Sequence, residues 1–383
     1  MRATSWERYS RHLLMPEVGL AGQRRLGESS VLCIGAGGLG SPVALYLAAA
    51  GVGKLGIVDD DVVDRSNLQR QVLFGESTLG VPKARAAAGR LRDLNPEVEV
   101  EAIEGVFDRE RAPELVGRYD LVVDGTDNFP TRYLVNDACV LAKKPYVYGS
   151  IFRFDGQVSV FGAREPERGP CYRCIFPVPP PPGSVPSCAE GGVLGVLPGL
   201  VGTLQAQQAL LLLLEVGTPL IGRLLLVDAL DTRMREMRVE RDPRCPVCGD
   251  APTITALGDY ERFCGIEARP ERDPGFLEDY GIGARDLAAQ LAGDRPPRLL
   301  DVREPREVEA GVFPGARHVP FSELPGRLHE LDTAQDVVVV CRLAARSAAA
   351  VQLLLDHGFR KIRFLDGGLY RWQREVDPEF PLY

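Results

Sequence analysis

The chain lacks an excess of positive charge. Its 45 Lys and Arg are outnumbered by 53 Asp and Glu, for a formal net charge of -8. It therefore offers no basic field of the kind a phosphate backbone needs, and nucleic acid is not an expected partner. It also lacks a dense disulfide framework. Nine cysteines is an odd count, laid out as two C-x-x-C pairs and scattered singles, which favours metal and thiol chemistry in a reducing compartment. No secretory leader is expected either, because MRATSWERYSRHLLMPEVG carries charges inside any apolar stretch, and a cytoplasmic location is expected with it. Finally, there is no clean membrane span. Gly191 to Leu214 holds no charged residue, but Gly191, Gly192, Gly195, Pro198, Gly199 and Gly202 break its first half, and Gln205, Gln207 and Gln208 lie in its second. Irregular backbone is not tolerated in lipid, so this stretch reads as a buried helix beginning near Gly202, and no membrane is expected.

What the chain does have is enough length, 383 residues, for two or three domains and, at 45% hydrophobic residues, enough apolar surface for ordinary cores. Strand-like runs alternate with helical ones over the first 250 residues: SSVLCI (29–34), a helix from Leu39 to Ala50 closed by Gly51, LGIVD (55–59), YDLVVDGTDN (119–128) and YVYGSI (146–151). Such alternation predicts a doubly wound, Rossmann-like α/β fold with a mainly parallel sheet. Proline and glycine dominate from Ile175 to Gly195, and the segment 251–280 loses periodicity and reads as a linker. From 281 to 383 a smaller α/β domain is expected, with strands at PRLLDV (297–302), DVVVVC (336–341) and KIRFLDG (361–367) and a helix over Ser347 to His357.

Gly35-Ala36-Gly37-Gly38-Leu39-Gly40 follows a strand and opens a helix. Glycines there let the backbone approach a phosphate, and the helix N-terminus supplies amide donors. Asp59 ends the next strand, where a carboxylate can take ribose hydroxyls. These features alone fit an NAD-dependent dehydrogenase equally well. The residues that follow argue for a triphosphate with Mg²⁺. Asp59-Asp60-Asp61 leads into Arg65-Ser66-Asn67-Leu68-Gln69-Arg70-Gln71, and Lys83 stands at a helix start. Phosphoryl oxygens need cationic clamps, and the metal needs oxygen ligands. A solvated charged face is the plainer reading of any one of these residues.

RYSRHLLMPEVGLAGQ, GAGGLG, SNLQRQ, GVPK and DGTDN together closely resemble the MoeB/ThiF adenylyltransferases, relatives of the ubiquitin-activating enzymes, over about residues 5 to 250. The resemblance implies ATP contacts by Gly38, Asp59, Ser66, Asn67, Arg70, Lys83, Asp127 and Asn128, with Asp127 helping to hold Mg²⁺. It further implies that Arg11 reaches into a partner subunit's site, and hence a homodimer. The substrate it implies is the C-terminal glycine of a small ubiquitin-like sulfur carrier.

Cys171-Tyr172-Arg173-Cys174 and Cys245-Pro246-Val247-Cys248 supply four thiolates, which suit a tetrahedral Zn²⁺ with no open position and so a structural metal. Two redox pairs are the alternative. The family carries the same four-cysteine site.

Of the single cysteines, Cys33 lies in a strand and reads as inert, and Cys264 as structural. Cys188, in VPSCAEGG, stands in an irregular segment from which a thiol can reach an acyl-adenylate. The resemblance places it at the family's mobile-loop cysteine. Cys341 ends an apolar strand and is followed by Arg342-Leu343-Ala344-Ala345-Arg346 and a helix start. That turn points amides at one atom and suits an anionic persulfide. Residues 281–383 resemble single-domain rhodaneses, through LLDVREPREVEAGVFPGARHVP, the loop from Cys341 to Arg346, and LDGGLYRW. Glycine is usual where Ala344 stands and histidine is common at Val312, so an alanine forced to positive φ would strain the loop by about 1–2 kcal/mol. A tyrosine phosphatase would need arginine where Ser347 stands. Expected sulfur sources are a cysteine desulfurase or another donor. The rival to a sulfurtransferase is a catalytically silent docking module.

Overall fold

The computed structural model describes residues 3–162, 169–180, 192–264, 279–309 and 311–382. The chain forms two compact units, Met1–Glu267 and Ala268–Tyr383.

The first unit is built on an eight-stranded sheet in the order β3-β2-β1-β4-β5-β6-β7-β8. Its strands are β1 (Ser30–Ile34), β2 (Lys54–Asp59), β3 (Glu99–Glu104), β4 (Leu121–Asp124), β5 (Tyr146–Phe152), β6 (Asp155–Phe161), β7 (Arg223–Asp228) and β8 (Arg233–Arg238). From β3 to β5 neighbouring strands run parallel, and β6, β7 and β8 add antiparallel. Side-chain alternation divides the apolar residues between two cores. Val31 and Cys33 of β1 join one with α1 (Gly40–Ala50), α2 (Lys83–Leu94) and α4 (Val196–Leu214), whereas Leu32 and Ile34 join the other with α3 (Phe129–Leu141). Strand order reverses between β1 and β4, which opens a crevice at their carboxyl ends, where ligands bind in such sheets.

The helix expected near Gly202 starts earlier, at Val196. Pro198 falls in its first turn, where a missing amide costs no hydrogen bond. Gly202 serves close packing rather than breaking, since a Cβ there would lie 2.5 Å from the Leu39 carbonyl. The glutamines are satisfied inside the fold: Gln205 Nε2 donates to the Asp124 carbonyl at 2.7 Å, and Gln208 Oε1 accepts from the Leu220 amide at 2.8 Å. Among the described residues α4 is the one helix long and apolar enough to cross a membrane, and it is half buried within this unit.

Beyond Gly249 the chain returns to the first unit. A helical turn, Tyr260–Phe263, buries Tyr260 and Cys264, and the Tyr260 hydroxyl donates to Asp137 of α3 at 2.9 Å. So the start of the segment read as a linker is folded.

The second unit carries a five-stranded sheet, order β11-β10-β12-β13-β9, formed by β9 (Gly281–Ile282), β10 (Arg298–Asp301), β11 (Ala316–His318), β12 (Val337–Val340) and β13 (Ile362–Leu365). All pairs are parallel. Its longest described helices are α5 (Ala284–Leu291), α6 (Ala345–Asp356) and α7 (Gly368–Glu375). The four valines of β12 alternate between two cores, Val337 and Val339 on one side and Val338 and Val340 on the other.

Candidate functional site

The crevice of the first unit collects Gly35, Gly37, Gly38, Asp59, Asp61, Arg70, Lys83, Asp127 and Asn128 around one cleft. Its glycines divide their work. Gly35 has φ +88°, and a Cβ on it would come 3.0 Å from the Gly125 carbonyl, while a Cβ on Gly40 would overlap the Gly35 carbonyl itself. Gly35 lets the loops after β1 and β4 touch, and Gly40 lets the loop after β1 fold closely on itself. Gly37 and Gly38 border the cleft and leave the amides at the start of α1 accessible to an anion.

Asp59 accepts from the Ala36 amide at 2.7 Å and the Asp61 amide at 3.0 Å. Burial pushes its carboxyl up, and the Ala36 hydrogen bond opposes that shift. Lys83 is 5% exposed and ion-pairs with Asp61 at 2.8 Å. Charge-paired in this way, it is held at the cleft wall rather than swinging in solvent. Arg70 Nη1 donates to the Ser66 carbonyl at 3.0 Å. Ser66 and Asn67 belong to the turn Arg65–Asn67, capped by Asp64, whose side chain accepts from the Ser66 amide at 2.8 Å. Leu68 closes that turn, and Gln69 packs on Gly195 at the start of α4. Asn128 caps α3 through the Thr131 amide at 2.9 Å, and Asp127 beside it is exposed. Arg11 lies exposed on the turn Ser10–Leu13 and is not among the residues lining its own chain's cleft.

Sequence reading missed Asp124 and Arg132. Asp124 is fully buried at the end of β4, where Oδ1 accepts from the Thr126 amide at 2.9 Å and hydroxyl at 2.6 Å. Burial pushes its carboxyl up. Arg132, 7% exposed, donates to the Thr126 carbonyl at 3.2 Å. Together they shape the loop that carries Asp127. The signal was present in D-G-T-D, which holds two acids, one at the end of an apolar strand.

The thiols of Cys171, Cys174, Cys245 and Cys248 all lie within 4.8 Å of one another. Sulfur separations of 3.5 Å (Cys171–Cys245), 3.4 Å (Cys174–Cys248) and 3.9 Å (Cys171–Cys174) suit the edges of a small tetrahedron. The donor set fits Zn²⁺. Arg173, inside the first C-x-x-C, makes a buried two-point ion pair with Asp137 at 2.8 Å, and its guanidinium lies over Tyr133 and Phe263. Asp137 thus ties α3, the cysteine cluster and the Tyr260 turn together.

In the second unit Cys341 follows β12 and is 1% exposed. Its sulfur accepts from the Ser347 amide at 3.3 Å and lies 3.4 Å from the Ser347 hydroxyl. Ala344 has φ +75°, so the strain expected of alanine at a glycine position is present. Gly368 lets the backbone of α7 press on the loop: a Cβ there would lie 2.5 Å from the Arg342 carbonyl, and the Leu369 amide donates to the Cys341 carbonyl at 2.9 Å. Leu343 is exposed at the tip, and Ala345 opens α6. Arg346, expected to favour an anion, is engaged by both carboxylate oxygens of Glu307. Burial opposes ionisation of Glu307, yet Arg346 and the Glu304 amide hold its carboxyl below the ordinary range.

Burial pushes the Cys33 thiol up to about 12 and the Cys264 thiol up to about 11, which suits inert core positions. Cys188 lies outside the described residues.

Residues 9–247 match the ThiF family and residues 284–375 the rhodanese-like domain. The chain is 45% identical over 379 residues to MoeZ of Mycobacterium tuberculosis, described as a probable adenylyltransferase/sulfurtransferase, covering 98% of this chain and 95% of that one. It is 58% identical over 262 residues to the sulfur carrier protein adenylyltransferase of Thermus thermophilus, covering 68% of this chain and 97% of that one. Among solved structures, E. coli MccB with MccA-N7isoASN shares the fold, at TM-score 0.56 and 24% identity over 63% of this chain and 74% of that one. A glycine-loop cleft at the switch point of one sheet, a four-cysteine cluster and a cysteine loop on a second sheet thus coincide with matches along nearly the whole sequence, and the chain belongs to the ThiF family, with a rhodanese-like domain at its C-terminal end.

Proposed function

We propose that this enzyme adenylates the C-terminal glycine of a small ubiquitin-like sulfur-carrier protein and then converts it to a thiocarboxylate. The observation that supports this most is the meeting of Gly37 and Gly38, Asp59, Lys83, Arg70 and Asp127 in one cleft. The names given to MoeZ and to the Thermus protein add to it. A nicotinamide coenzyme would use the glycines and Asp59 but gains nothing from a buried lysine and an arginine placed for a triphosphate.

A carboxylate resists nucleophiles, so it must first be given a leaving group. The carrier's carboxylate oxygen attacks the α-phosphorus of ATP, the bond to pyrophosphate breaks, and an acyl-adenylate forms. Amides of the glycine loop receive phosphate oxygens, Asp59 accepts from ribose hydroxyls, and Lys83 and Arg70 oppose the charge growing on the departing pyrophosphate. Asp127 would help hold Mg²⁺, which would neutralise phosphate charge. In a homodimer Arg11 would enter the second copy's cleft; its exposure and its absence from its own chain's cleft support that role. The four cysteines would hold a structural Zn²⁺.

Sulfur enters at Cys341, as a persulfide made from a cysteine desulfurase or another donor. The terminal persulfide sulfur attacks the acyl carbon and AMP leaves with the electron pair. Cys188 thiolate then attacks the Cys341 sulfur, releasing the thiocarboxylate and leaving a disulfide that a cellular thiol reduces. Everything this requires is compatible with a cytoplasmic setting. Incubation with ATP, carrier and radiolabelled pyrophosphate tests the first stage: label should appear in ATP when carrier is present, and its absence would sink the proposal.

A silent docking role for the second unit is the competing reading, favoured by the burial of Cys341 and the positive φ of Ala344. Unchanged thiocarboxylate yield from Cys341→Ala would establish it.

A further inference from the structure

The sulfur donor can be narrowed by the charges around the Cys341 loop, an inference that rests on the sulfurtransferase reading above. Arg346 closes the loop and is the side chain best placed by sequence to attract an anion. Its guanidinium is spent, because both of its terminal nitrogens donate to Glu307, 39 residues earlier in the chain. The pair is mostly buried, with side chains 21% and 16% exposed, so solvent screens it less than a surface pair. Glu307 is itself fixed. Its Oε2 accepts from the Glu304 amide at 2.7 Å, and its carbonyl accepts from Arg303 at 3.2 Å. Arg303 is in turn locked by a buried ion pair with Asp301 at 2.6 Å and donates to the Gly311 carbonyl at 2.9 Å. The carboxylate is therefore presented to Arg346 by a braced segment, not by a loose surface side chain. That segment continues into Val312, 55% exposed, and the loop tip bears Leu343, 53% exposed. Both are apolar side chains offered to solvent.

Two donors would give the same product. With thiosulfate, the Cys341 thiolate attacks the outer sulfur, the S–S bond breaks and sulfite leaves with the electron pair. With a thiol-borne persulfide, R–S–SH, the thiolate takes the terminal sulfur and R–SH leaves after taking up the proton. The first approach brings a dianion toward a thiolate, and the second brings a neutral or singly charged group with an organic body. Pairing Arg346 with a carboxylate offsets one of the loop's two cations, Arg342 being the other, and penalises the dianion more than the persulfide, since like-charge approach is the usual means of rejecting a wrong partner.

We propose that Glu307 is a specificity-determining residue of this sulfur site: by cancelling Arg346 it disfavours thiosulfate and selects sulfur carried as a persulfide on an organic thiol.

The test uses the full-length chain and Glu307→Gln, a change that keeps the shape and the ability to accept from the Glu304 amide. Loading of Cys341 is followed by intact mass with thiosulfate and, separately, with glutathione persulfide as the organic probe. The ratio of thiosulfate to persulfide rate constants should rise by about tenfold or more in Glu307→Gln. Arg346→Gln, which leaves Glu307 unopposed, should lower the same ratio below that of the unmodified chain, so a poorly folded first variant does not end the test. An unchanged ratio in both variants would overturn the assignment. If the unmodified chain takes sulfur from neither probe while its ATP-pyrophosphate exchange is intact, the sulfurtransferase reading fails, and this inference fails with it.

Discussion

The nucleotide cleft is assembled from separate stretches of chain, around residues 35–38, 59–61, 70, 83 and 125–128, that meet only because β1, β2 and β4 end side by side. The sulfur loop is instead one run from Cys341 to Ser347, in which the thiol is met by an amide of the same turn. A dispersed site shares its electrostatic work among several side chains, so losing one should weaken it by a finite factor. In a contiguous loop the proposed chemistry falls to a single atom, and a single backbone angle carries the shape.

That contrast can be broken by substitution. The largest effect expected is from Cys341→Ala, which should abolish uptake of sulfur by the second unit, as read by intact mass, while ATP-pyrophosphate exchange persists. A parallel fall in exchange would show that the two sites are not separable. Next, Asp137→Asn should leave Arg173 buried without its countercharge and destabilise the first unit by about 3–5 kcal/mol, measured by chemical denaturation, with the transition of the second unit unmoved. Lys83→Gln should lower exchange by about 10²–10³-fold and leave sulfur loading alone. A complete loss would mean that the cleft does not share its work as supposed. The smallest effect is expected at the loop's strained angle. Ala344→Gly should relieve the cost of φ +75° at the expense of some chain entropy, for a net gain of about 1 kcal/mol or less, visible as a higher thermal midpoint of the second unit. A loss of stability there would remove the case for strain.

The same contrast explains what could be read from the sequence. Cys341 to Arg346 is legible because its geometry is local, and the positive φ at Ala344 follows from the glycine usual at that place. The glycine loop and Asp59 are legible for a similar reason, lying at strand ends and within one βαβ stretch. The two C-x-x-C pairs announce themselves by spacing, and the thiols do converge. Asp124 and Arg132 are hard to single out even within D-G-T-D, because a buried acid at the end of LVVD looks like the last residue of an apolar strand, and its worth emerges only when Thr126 folds back on it. The start of α4 is obscured in the sequence because glycine and proline look like breakers, whereas Pro198 uses a free first turn and Gly202 a close approach to α1. The antiparallel strands β6, β7 and β8 escaped notice, and β8, exposed at every position, has no burial pattern to betray it. Glu307 could not be paired with Arg346 from sequence, because only the folded second unit brings them together.

The central claim, that one chain both activates a carboxylate and delivers sulfur to it, is tested most directly on the carrier. The full-length protein, magnesium-ATP, a sulfur-carrier protein ending in glycine and a persulfide donor are combined, and the carrier's mass is recorded. One oxygen at the carrier's C-terminus should be replaced by sulfur, with unmodified Cys341 required; a carrier returned unchanged, or converted equally well by Cys341→Ala, would contradict that claim.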